Sequence, residues 1–247
     1  MLIIWIMLFS LLGSVGAIIA ASAFLLIQKK RQKTLIPCLI SYASGTLLTA
    51  ALLGLIPHAL KNTSIFPILS SVLVGIILFF LLEKMLIWRH CHDAECEVHG
   101  ASGSILLVGD AFHNLSDGVI IAASFLSSIP IGIVASLSVL AHEIPQELGD
   151  FAILLSSGYS KRKALTLNVL SSSSTIPGAI LAYYALGTIS VAIPYAMAIS
   201  AASFLYIALA DLTPELHQKV GFKSSIRQFL LMLAGVGTII LFLQFHP

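Results

Sequence analysis

The sequence predicts an all-α polytopic membrane protein with eight transmembrane helices. Composition comes first: 58% of the 247 residues are hydrophobic, 10% are charged, and the mean hydropathy is +1.01. A soluble domain carries roughly a quarter charged residues, so a water-exposed surface of this kind is not expected. The second observation is length. A bilayer core of about 30 Å needs about 20 apolar residues per helix, and eight such runs occur, separated by short polar breaks. Third, the runs are long and uniformly apolar, whereas a membrane barrel needs short alternating strands.

The spans are expected at 2–27, 35–60, 64–88, 103–127, 130–158, 162–187, 190–213 and 226–245. The first lacks a basic n-region and a small-residue cleavage site, so it reads as a retained span. No soluble domain is expected at either end, and residues 1–247 form one domain with a short loop at 89–102. Lys29, Lys30, Arg31 and Lys33 follow span one, Arg89 span three, Lys161 to Lys163 span five, and Lys219, Lys223 and Arg227 span seven. Only Lys61 falls in a loop on the opposite face. Cationic loops stay cytoplasmic, so both termini are expected outside. The net charge of +2 reports topology and not a nucleic-acid surface. Cys38, Cys91 and Cys96 are an odd set with two members in a cytoplasmic loop, so structural disulfides are not expected.

The eleven carboxylates carry the functional information, because most lie within or at the ends of apolar spans. An ionised side chain at mid-bilayer costs roughly 2.5–3.5 kcal/mol on insertion scales, so such residues usually face an interior and mark a pathway. Span four holds Asp110 and Asp117, span five Glu143, Glu147 and Asp150, and the end of span seven Asp211 and Glu215. In DAFHNLSDG, residues Asp110, His113, Asn114 and Asp117 fall within an arc of about 100°. In HEIPQELGD, residues His142, Glu143, Gln146, Glu147 and Asp150 fall within about 140°. Two such stripes are expected to face each other, since lipid offers them no partner.

A proton relay could use carboxylates alone. Imidazole, carboxylate and amide oxygen at i, i+3 and i+4 instead suit a divalent transition metal, and without thiolates the binding stays modest enough for release. Zinc is the leading expectation; Fe2+, Mn2+ and Cd2+ share these ligands. The metal is cargo, and no resident cofactor is expected. Pro145 cannot donate to the carbonyl of Ala141, so a kink beside His142 is expected, while Gly118 and Gly149 permit close helix approach.

HNLSDG on span four and HEIPQELGDFAILL on span five resemble the signature helices of the ZIP metal transporters. The resemblance extends to LLGLIPHAL on span two, to Asn168 and the serine-rich stretch of span six, and to YIALADLTPEL on span seven. It implies eight spans with both termini outside, an inverted repeat of three, two and three helices, and a homodimer. Spans one, four, five and six would move as the metal-carrying unit against the other four. The resemblance also implies a binuclear site, with His113, Asp117 and His142 at one position, Asn114 and Glu143 at the other, and Gln146 between them. Two positions depart from the family pattern. Gln146 stands where many members carry histidine or glutamate, and Gly54 where related sequences often carry histidine.

Other features are pathway candidates. Asp110, Glu147 and Asp150 lie toward the cytoplasmic ends of their spans, to form an exit path or to pair with loop cations. Asn168 and Glu215 join them, Asp211 and Glu215 being able to snorkel to water. His58 sits at the outer end of span two as an entrance ligand or an interfacial histidine. Ser171 to Thr175 complete the site or tie helices together. The loop HCHDAECEVH places His90, Cys91, His92, Cys96 and His99 together for cytosolic metal capture, without the spacing of a closed zinc finger.

A rival function is an intramembrane zinc hydrolase with Glu143 as general base. HEIPQ lacks the second histidine of H-E-x-x-H, which weighs against it. A metal sensor without flux is the other rival. Import toward the cytoplasm, through a prokaryotic inner membrane, is the expected direction and setting.

Overall fold

The computed structural model describes residues 1–24, 26–88, 102–218 and 221–245; the metal-loop residues His90, Cys91, His92, Cys96 and His99 lie outside them. Among the described residues the secondary structure is helical, with no strand. Eight long helices follow the apolar runs: α1 (Leu2–Phe24), α2 (Lys30–Ala59), α3 (Ile65–Trp88), α4 (Ser102–Ser127), α5 (Ile129–Ser156), α6 (Lys161–Thr188), α7 (Ser190–His217) and α8 (Phe222–Phe245). Seven of them are long and apolar enough to cross a membrane. The remaining one, α4, has 26 residues, about 39 Å at 1.5 Å per residue, and bears the polar stripe. The protein is an all-α, multi-pass integral membrane protein.

The boundaries shift in two informative places. Helix α7 runs on to His217, four residues past the expected end, so Glu215 lies within a helix. Helix α5 continues through Pro145 as one α-helix from Ile129 to Ser156, started by Ser128, whose hydroxyl accepts from the Ile131 N–H. The sharp interruption falls instead in α6. It breaks at Ser173 and Ser174, just ahead of Pro177, whose missing N–H cannot return to the Ser173 carbonyl.

Helices α4 and α5 are the axis of the bundle. Helix α4 packs on α5, α6, α7 and α1, and α5 on α1 and α2; at the periphery α8 lies on α2 and α3 on α7. Swapping α1, α2, α3 and α4 for α6, α7, α8 and α5 leaves the main packing pairs unchanged, which is the relation an inverted repeat requires. Two helix irregularities obey the same swap, while α1 has a π-turn at Leu12–Gly16 and its counterpart α6 a break instead. Helix α2 widens into a π-turn at Ala50–Leu55 followed by Pro57, and α7 does so at Ile207–Leu212 followed by Pro214.

Two seams show why small residues are required. A Cβ on Gly118 would stand 2.0 Å from the Thr175 carbonyl oxygen, and one on Gly178 would stand 2.2 Å from that of Leu115, so α4 and α6 touch backbone to backbone. Gly45 and Gly235 make the same reciprocal contact between α2 and α8. A buried apolar core including Leu47, Ala51, Ile121, Phe125, Val134 and Phe204 fills the half of the bundle nearer the α4–α5 turn.

Candidate metal centre

Helical periodicity places His113 and Asp117 one turn apart on α4, and His142 and Glu143 side by side on α5. Where the two helices cross, these four side chains converge, and one ligand atom from each lies within 4.8 Å of all the others. The His113 and His142 Nε2 atoms are 3.2 Å apart. His113 Nε2 stands 3.4 Å from Glu143 Oε1 and 3.9 Å from Asp117 Oδ2, and His142 Nε2 stands 3.3 Å from Asp117 Oδ2 and 3.5 Å from Glu143 Oε1. Four ligands at about 2.0–2.1 Å around a tetrahedral ion are separated by about 3.3–3.4 Å, which the His–His, His–Glu143 and His142–Asp117 separations approach and the 3.9 Å His113–Asp117 separation exceeds.

The protonation pattern suits a cation. His142 Nδ1 lies 2.9 Å from the Ser138 carbonyl oxygen, which can only accept, so Nδ1 is the donor there and Nε2 is the atom turned to the centre, free to ligate once it carries no proton. Both oxygens of Asp117 and both of Glu143 lack a hydrogen-bond donor. Asp117 and Glu143 are wholly buried and His142 is 1% exposed, whereas the His113 side chain is 21% exposed. Two buried carboxylates without donors need compensation, and a doubly charged ion supplies it fully. The edge of the His142 ring meets Phe204 of α7, with centroids 6.2 Å apart, which closes one wall with an apolar group.

Other sequence-selected residues lie elsewhere. Asn114 turns away from the four: its Oδ1 accepts from Thr175 Oγ1 at 2.9 Å and Ser172 Oγ at 3.4 Å, and its Nδ2 donates to Asp110 Oδ1 at 2.9 Å. Gln146 also faces Asp110, its Nε2 3.4 Å from Oδ1. The structure thus groups Glu143 with His113, Asp117 and His142, and gives Asn114 and Gln146 to Asp110. Glu147 and Asp150 are buried on α5 beyond the centre, and Asn168 of α6 donates to the Glu147 carbonyl oxygen at 3.2 Å. His58 reaches the backbone of Ser127 at the end of α4, and Glu215 lies on the exposed side of the last turn of α7. Cys38 is a free thiol.

Two supporting residues, Ser138 and Phe204, escaped the sequence reading, and two more, Ser172 and Thr175, fell within its Ser171 to Thr175 stretch without an assigned partner. Ser138 had a signal, since it stands four residues before His142 on the same face. Ser172 and Thr175 lay in a polar run whose partner was unknown. Phe204 is one apolar residue among many in α7, and nothing in its surroundings marked it. The contact of Tyr206 on α7 with Glu83 on α3 was likewise unmarked.

Comparison with known proteins identifies the family. The family model described as ZIP Zinc transporter matches residues 89–243. The chain is 34% identical over 134 residues to Zinc transporter zipt-7.2 of Caenorhabditis elegans, covering 53% of this chain and 29% of that protein. It is 32% identical over 225 residues to Zinc transporter ZIP13 of Pongo abelii, covering 84% and 66% respectively. It is 29% identical over 325 aligned positions to Zinc transporter SLC39A7 of Mus musculus, covering 93% and 68%. The chain therefore spans from under a third to about two thirds of the length of these relatives. With most of its helices matched, from the segment ahead of α4 to the end of α8, the chain belongs to the ZIP zinc transporter family.

Proposed function

We propose that this chain moves a divalent transition metal, zinc foremost, across a membrane into the cytoplasm through the centre formed by His113, Asp117, His142 and Glu143. One observation carries the reading: four ligand atoms of two imidazoles and two carboxylates, three of the side chains buried and His113 partly so, lie within 4.8 Å of one another, and the imidazoles are the polar side chains that face the carboxylate oxygens. Two neutral imidazoles and two carboxylates neutralise a 2+ ion without a thiolate to trap it. The zinc-transporter names of the relatives point the same way.

Direction is supported by the asymmetry around the centre. Toward the α4–α5 turn the bundle is closed by Ile121, Phe125, Val134 and Phe204, and toward the other end lie Asp110, Glu147, Asp150 and Asp211. With the cationic loops in the cytoplasm and both termini outside, this is a form closed to the exterior. His58 then receives the ion at the outer end of α2, and Glu215 lies at the inner end of α7, where it leaves. On the family resemblance, α1, α4, α5 and α6 move as one body against α2, α3, α7 and α8, in a homodimer. A single ion fits the four-residue centre, since Asn114 Oδ1, the atom that would ligate a second, accepts hydrogen bonds from Thr175 and Ser172.

Purified chain in proteoliposomes tests this. External zinc accumulates inside, and Asp117→Ala abolishes the initial rate while the protein stays inserted. An unchanged rate in Asp117→Ala overturns the centre, and zinc binding without accumulation overturns transport in favour of a sensor.

A further inference from the structure

A serine buried within a helix can satisfy its hydroxyl on the carbonyl one turn back. Ser14, Ser41, Ser44 and Ser136 do so, each donating to the carbonyl four residues earlier at 2.6–2.9 Å. Ser138, two residues after Ser136 on α5, differs. Its wholly buried hydroxyl crosses to α2 and donates to the Thr46 carbonyl oxygen at 3.4 Å. Its own carbonyl accepts from Nδ1 of His142 at 2.9 Å. One residue of α5 thus holds both a ligand of the metal centre and a contact with the neighbouring helix.

The acceptor stands on a firmly held part of α2. A Cβ on Gly235 would lie 2.3 Å from the Tyr42 carbonyl oxygen and 3.0 Å from the Thr46 nitrogen, so α2 rests backbone to backbone on α8 at this level. The Thr46 carbonyl accepts from the Ala50 N–H within its own helix and uses its second lone pair for Ser138. The π-turn of α2 begins at Ala50, one turn further along.

We propose that Ser138 is a positioning residue that ties the aim of His142 to the seat of α5 on α2. This deepens the reading of His113, Asp117, His142 and Glu143 as a zinc centre and rests on it. With α5 unseated from α2 at this level, the carbonyl that orients the His142 ring loses its anchor. In the other direction, an ion on Nε2 makes Nδ1–H a stronger donor and pulls on the same carbonyl, so occupancy favours the seated helix. Zinc is held best with Ser138 on Thr46 and less well once that bond opens. An ion that must enter and also leave requires such a change in affinity.

Calorimetric titration of zinc into the purified full chain in detergent tests this, beside thermal melts of the same samples. Ser138→Ala keeps the carbonyl and removes the hydroxyl, and zinc binding about 5-fold weaker is expected, the equivalent of one ordinary hydrogen bond. Ser138→Thr, which keeps a hydroxyl, retains the original affinity. Ser136→Ala, which loses a hydroxyl bonded within α5, leaves zinc affinity unchanged. A hydroxyl that merely supports the fold would lower the melting temperature and leave the zinc dissociation constant alone. An unchanged dissociation constant in Ser138→Ala, or an equal loss in Ser136→Ala, therefore overturns the coupling. An unsubstituted chain that binds no zinc refutes the centre and the coupling together. A chain that shows the Ser138 effect but accumulates no zinc in proteoliposomes refutes transport and leaves the coupling standing.

Discussion

Replacing Glu143 by glutamine separates a metal ligand from a structural contact, because the two roles predict opposite signs. Glu143 and Asp117 are fully buried, and their ligand oxygens lie within 4.8 Å of each other. At an effective dielectric of 20, two unit charges at that distance repel by about 3 kcal/mol, an upper bound because shared protons relieve part of it. Glu143→Gln keeps the shape and removes one charge, so the metal-free protein becomes more stable. At roughly 2–4 °C per kcal/mol for a chain of this size, its melting temperature rises by up to about 10 °C. The same change removes one of the two compensating charges from bound zinc and weakens binding by at least about 100-fold, or ~2.7 kcal/mol. Thermal melts in detergent, with chelator and with zinc, read both effects at once. A variant that melts lower without metal and keeps its zinc-induced shift would refute the reasoning, since Glu143 would then be holding helices together.

Three further outcomes follow from the same contacts. Thr175→Val removes the 2.9 Å hydrogen bond to Asn114 Oδ1 and should cost about 1–2 kcal/mol of stability with a slower zinc uptake rate, whereas Thr175→Ser restores both. Gly118→Ala places a methyl 2.0 Å from the Thr175 carbonyl oxygen, so α4 and α6 must separate; loss of monodisperse protein in detergent is expected, and normal yield and melting would contradict the close seam. Acidification should weaken zinc binding, because His113 and His142 ligate only when neutral and protons compete with the ion; titrations at falling pH should show rising dissociation constants with proton release on binding, and a flat profile would speak against imidazole ligation.

What was legible in the sequence follows from which physical signals are local. Span number and type were legible because satisfying the backbone in lipid demands about 20 consecutive apolar residues, a property of each segment alone. His113, Asp117, His142 and Glu143 stood out because ionisable groups in apolar runs are costly wherever the neighbouring helices lie. The division of labour within the stripes was not legible. Asn114 and His113 look equally suited to a metal in HNLSDG, yet Asn114 is claimed by Ser172 and Thr175 from a helix more than fifty residues away in sequence. The π-turns of α2 and α7 were also hidden, since hydrophobicity does not encode hydrogen-bond register; only Pro57 and Pro214, each following its π-turn, hinted at them. Pro145 drew attention to α5, but the break came in α6, where adjacent serines offered hydroxyls to carbonyls ahead of Pro177.

The coordination shell of bound zinc can be read directly by X-ray absorption on the purified, zinc-loaded chain. Two imidazole nitrogens and two carboxylate oxygens at about 2.0–2.1 Å, with no sulfur, are the expected result. A sulfur shell at about 2.3 Å from Cys38, Cys91 or Cys96, or a shell of oxygens alone, would contradict a centre built on His113, Asp117, His142 and Glu143.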